Sequence, residues 1–173
     1  MTLEPLLSAP AAVQFHVATI VPAALLGAFL LARPKGTPVH RLLGKVWLVL
    51  MVVSSASTFF IHAIDVFMGF SPIHLLSVYV IVGSGYVIAA ARRGDITAHR
   101  RHVTGMYFGG IVVAGIVTFL PDRIMSRAVF SGADGVAGGI AAALLCLFFV
   151  LAGGLAIRES GLLARLRGLR RGA

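Results

Sequence analysis

Five long apolar runs dominate the chain, at residues 10–32, 42–67, 72–91, 103–120 and 136–157. A helix needs about 20 apolar residues to cross the hydrocarbon core of a bilayer, and each run is close to that length. The runs are continuous and lack the apolar–polar alternation of an outer-membrane barrel strand. The expected fold class is therefore all-α, an integral membrane bundle of five transmembrane helices over residues 1–157. Composition agrees: 58% of the chain is hydrophobic, 12% is charged, and the mean hydropathy is +0.96. Soluble domains hold about 25% charged residues.

Basic residues orient such a bundle. Arg33, Lys35, Arg41 and Lys45 flank the first link, and Arg92, Arg93, Arg100 and Arg101 precede the fourth run. Arg158, Arg165, Arg167, Arg170 and Arg171 lie beyond the fifth. With five crossings, these thirteen of the fifteen basic side chains share one side, leaving Arg123 and Arg127 on the other. Basic residues stay cytoplasmic, so the N-terminus is expected outside and the C-terminus inside, in a bacterial inner membrane. Residues 158–173 read as a basic amphipathic cytoplasmic tail on anionic lipid. The flank before residue 10 carries an acid and no base, unlike the positive start of a secretory signal, so the first run is expected to be a span. A pI near 11.3 here reflects orientation and lipid contact. No basic soluble domain exists for nucleic acid. The single Cys146 makes no intrachain disulfide.

This topology sorts the six histidines into two layers. His62 falls near the outer end of the second run, His74 in the first turn of the third, and His16 about 9 Å into the first at 1.5 Å per residue. His40, His99 and His102 belong to the inner surface. His40 and His62 are separated by 22 positions, about 33 Å of straight helix, so one cofactor cannot join both layers. Ionisable side chains in spans are costly, face the bundle interior and often mark sites. Imidazole suits Zn, Cu, Fe and Ni. His16, His62 and His74 would thus hold a transition metal, or two of them a haem b. Asp65, three residues after His62, would orient a ligand imidazole or bind the metal itself. The bland alternative leaves these groups among headgroups and water. Residues 54–58, "SSAST", read as mid-span hydroxyls bonded back to their own helix. Small residues four apart, including Gly105 with Gly109 and Gly110 with Ala114, read as close helix packing.

The inner layer reads as an anion and lipid surface formed by Arg41, Arg100 and Arg101, helped by a helix start capped by Asp95 or Thr97. His40, His99 and His102 form a possible second metal cluster there.

The stretches "KGTPVHRLLGKVW", "FSPIHLLS" and "RRGDITAHRRHVTGMYFGG" resemble the bacterial predicted membrane proteins catalogued as domain of unknown function 2306. The resemblance runs from the first helix to about residue 121. It implies an integral membrane protein with His40, His74 and His99 at motif positions, and a position usually aromatic where His102 stands. It brings no activity with it, and the helix-end histidines are loosely similar to those of membrane b-type cytochromes.

No nucleophile elbow, P-loop or His-Glu-x-x-His motif is present, and no broken helices or inverted repeats mark a transporter. The expected function is haem or metal binding near the outer face, serving electron transfer or assembly of a respiratory complex with a redox partner. Any enzymatic role would be that of a membrane redox protein. The competing reading is a non-catalytic membrane subunit or scaffold with no cofactor.

Overall fold

The computed structural model describes residues 3–61, 72–119 and 123–129. Every regular element among them is helical. A short α1 (Glu4–Leu7) leads into α2 (Ala11–Ala32), α3 (Pro38–Ser57) and α4 (Pro72–Arg92). The helices α5 (Ile96–Gly105) and α6 (Val113–Thr118) follow, joined by a π-helical segment at Met106–Val112, and α7 is Ile124–Val129. Three helices, over Ala11–Ala32, Pro38–Phe60 and Ile73–Arg92, are long and apolar enough to cross a membrane. The fifth apolar run, the tail at 158–173, His62 and Asp65 lie outside the described residues.

Local sequence sets the helix ends. Gly36 turns the chain at φ 86°, a conformation glycine adopts without a Cβ penalty. Thr37 then caps α3 by accepting the His40 N–H at 3.1 Å, and Pro38 supplies the ready-made φ of a first helical residue. At the end of α4, Gly94 takes φ 73°. The Gly94 N–H donates to the Ala91 carbonyl and the Asp95 N–H to the Ala90 carbonyl, the paired closure of a Schellman motif. Asp95 starts α5 by accepting the Ala98 N–H at 2.9 Å. Both tight reversals thus come from the Gly-containing motifs.

The second helix departs from its apolar run. It begins four residues earlier, at its cap, and gives way to a 3-10 turn at Thr58–Phe60 with Ile61 extended. Ser54 to Thr58 therefore stand at the end of this helix, not near the middle of a span as the run's length suggested.

The helices pack in sequence, α2 on α3, α3 on α4 and α4 on α5, while the π segment returns to α2. Apolar side chains gain little by leaving lipid for protein, so close backbone approach and interhelical hydrogen bonds hold such bundles. The waist shows both. A Cβ on Gly27 would stand 2.6 Å from Trp47 Nε1 and 2.7 Å from the Tyr107 ring, so two aromatic rings lie directly on the α2 backbone. Trp47 donates to the Ala23 carbonyl at 3.0 Å and Tyr107 to that of Ala24 at 3.3 Å. Pro22 lies beside them and removes one rung of the α2 ladder. The π segment buries Met106, Tyr107, Gly110 and Val112 together. A Cβ on Gly105 would reach the Tyr79 hydroxyl, and one on Gly110 would reach Val80. Both small residues pack within this chain.

Candidate functional site

Two polar regions lie at opposite ends of the bundle. At the first, His16 sits 16 positions before the end of α2 and Ser54 lies 16 positions after the start of α3. Both are thus about 24 Å from the α2–α3 turn at 1.5 Å per residue, and they meet. His16 Nδ1 lies 3.0 Å from the Ser54 carbonyl oxygen, 3.0 Å from Ser57 Oγ and 3.3 Å from Ser54 Oγ. A carbonyl only accepts, so Nδ1 carries the proton and donates it. In the neutral ring Nε2 is then a bare lone pair, and no hydrogen bond engages it among the described residues.

The surrounding hydroxyls are satisfied. Ser57 donates to the Ser54 carbonyl at 2.6 Å and Thr58 to that of Ser55 at 2.7 Å. The Thr58 and Ser77 hydroxyls lie 2.7 Å apart, tying α4 to the 3-10 turn. His74, one turn before Ser77, is buried, and its ring centroid is 5.6 Å from that of Phe59. His16 and His74 therefore both contact the stretch 54–59, one from α2 and one from α4. His62 and Asp65, the other members of the expected outer set, lie outside the described residues. No group of three metal-ligating side chains occurs among the described residues.

Sequence reasoning missed Ser54 and Ser57 as partners of His16. The available signal was the Thr37–Pro38 helix start, which puts Ser54 at the depth of His16. Ser54 and Ser57 also share a face by their spacing of three.

The opposite end gathers the motif residues. His40 lies near His99 and Lys35, and His99 Nδ1 lies 3.3 Å from the Val87 carbonyl oxygen. His102 instead stacks on Tyr86, with centroids 5.5 Å apart and planes 14° from parallel. His102 thus has a different neighbour from His40 and His99. Lys35 Nζ donates to the Leu31 carbonyl at 2.6 Å and closes α2. Burial and then the positive charge of Arg100 hold this ammonium below the usual lysine value. Arg41, Arg100 and Arg101 are exposed.

A family model described as a predicted membrane protein, DUF2306, matches residues 13–148. The chain belongs to that family. The match takes in both polar ends and the waist between them. No curated protein and no solved structure matches the chain.

Proposed function

We propose that this DUF2306 protein crosses the bacterial cytoplasmic membrane five times and holds a haem b or a transition-metal ion near the outer face, serving electron transfer or assembly of a respiratory complex. The observation that carries the reading is the His16 ring. Its Nδ1–H is fixed on the Ser54 carbonyl, and its Nε2 has no hydrogen-bond partner among the described residues. Ligating histidines are commonly oriented this way, with the second nitrogen donating to a carbonyl or carboxylate.

The donor set fits either group. His16 is the first ligand, and His74, on the other side of the same turn, is the second for a haem. A metal ion would add His62, with Asp65 beside it. The bound centre would supply one-electron chemistry or Lewis acidity. The chain itself contributes ring orientation through Ser54 and Ser57, and water exclusion through buried Thr58 and Ser77. The orientation, N-terminus out, rests on the thirteen-to-two split of basic residues. The packing of α1 on α7 bears on the number of crossings, since an even number between them puts both at one end.

The test is an absorption spectrum and metal analysis of the purified protein after haem and metal supplementation. We expect near-stoichiometric haem or metal in the wild type and its loss in His16→Ala, with helical circular dichroism unchanged. A colourless, metal-free wild type would sink the cofactor reading and leave the membrane-subunit one.

A further inference from the structure

The α2–α3 turn borders a half-open cavity of about 300 Å³ that the outer-end reading does not use. Phe29, Leu30 and Leu43 form its apolar wall, while Arg33, Thr37 and His40 bring polar groups to it. Its size is at the lower limit of small-molecule sites, which run from about 300 to 1,000 Å³. The Arg33 guanidinium stands 5.1 Å from the centroid of the Phe29 ring, a cation–π contact that helps fix it in place. No carboxylate pairs with Arg33 among the described residues.

His40 adds a second, independent mark. Its Nδ1 is buried and has no hydrogen-bond partner, the one such side-chain nitrogen or oxygen among the described residues. A buried polar atom left unpaired is unfavourable, so turning the ring toward a ligand in the cavity gives this nitrogen a partner. With no carboxylate to pair it among the described residues, Arg33 gains from a bound anion.

The surface beyond the cavity indicates what kind of anion. Leu25 on α2 and Leu42 and Val46 on α3 are exposed large apolar residues, and they continue the apolar wall along the bundle's outer face. A free phosphate would use the cations and waste this surface. A lipid uses both.

We propose that this cavity binds the phosphate-bearing headgroup of an anionic phospholipid between Arg33, Thr37 and His40, with the acyl chains running down the exposed faces of α2 and α3. Arg33 makes paired N–H contacts with the phosphate, Thr37 donates its hydroxyl while its oxygen caps α3, and the His40 ring turns to bring its now-buried Nδ1–H to the set. The proposal is independent of any cofactor at the other end.

Native mass spectrometry of the full chain in mild detergent tests it, with phosphatidylglycerol and phosphatidylcholine of matched acyl chains as probes. One phosphatidylglycerol should be retained in preference to phosphatidylcholine. Each cation near an anionic lipid surface is worth about fivefold in binding, so Arg33→Gln should cut the preference by about that factor. His40→Ala should also lower it. Leu43→Trp should lower it by filling the cavity with no change of charge, whereas Arg92→Gln, an exposed arginine outside the cavity, should leave it intact. Equal retention of the two lipids by the wild type would overturn the proposal. So would an Arg92→Gln loss as large as that of Arg33→Gln, which would mean diffuse attraction. Displacement of the lipid by millimolar inorganic phosphate would assign the cavity to a soluble anion instead.

Discussion

The two ends of the bundle solve the problem of polar groups near lipid in opposite ways. At the His16 end, hydroxyls and carbonyls satisfy one another across α2, α3 and α4, and one imidazole nitrogen is left bare among the described residues. At the His40 end, among the described residues, Arg33 has no carboxylate and a buried nitrogen has no partner. A neutral, internally satisfied network can orient one lone pair toward a metal. A cationic, unsatisfied one is completed by an anion from outside. The difference lies in which partners the chain itself supplies.

The largest effect should come from the waist that separates the two ends. Gly27→Ala puts a Cβ within 2.7 Å of two aromatic rings. Trp47 and Tyr107 would have to withdraw, with loss of their bonds to Ala23 and Ala24. Overpacking costs about 1–3 kcal/mol, and each lost interhelical hydrogen bond adds about 0.6 kcal/mol in a membrane. Thermal unfolding in detergent should show a marked fall in midpoint, and cofactor and lipid retention should decline together. If one end survived intact while the other was lost, the waist would not be what couples them.

An intermediate effect should separate the ends. Ser57→Ala removes one of the oxygens around His16 Nδ1 and leaves the Ser54 carbonyl in place. Loss of a group that orients a ligand costs about 10–100-fold in metal affinity. Since the carbonyl remains, the lower figure is expected in a titration with haem or metal, while lipid preference at the far end stays unchanged. An unaltered affinity would mean that Ser57 merely fills space.

The first three apolar runs were legible because length and composition decide whether a helix can cross a bilayer. Where the second helix stops was not, because residues 42–67 stay apolar past the point where it turns 3-10. That displaced residues 54–58 by several residues in depth and hid the pairing of Ser54 with His16. Rotation about the helix axis was also hidden, since contact across helices depends on which face each residue takes. Gly27 went unnoticed although Ala23 and Gly27 have the same spacing of four as the pairs recognised in the fourth run. The cationic motifs were legible as charge. Their cavity was not, because its wall comes from the apolar end of α2, where no pattern distinguishes Phe29 from its neighbours.

The smallest expected effect is at His102, and it tests whether the inner histidines form a metal site. The imidazole stacks nearly parallel on the Tyr86 ring. Its flat face, rather than its nitrogens, accounts for the contact, and an aromatic side chain here would make the same one. Aromatic pairs contribute about 0.5–1.5 kcal/mol beyond burial. His102→Phe keeps the stack and should leave the unfolding midpoint nearly unchanged. His102→Ala should lower it by the few degrees that such a loss represents. Neither change should alter bound metal. If His102→Phe released a metal ion while keeping the midpoint, the nitrogens of His102 would be ligands, and the inner end would resemble the outer one far more than its present neighbours allow.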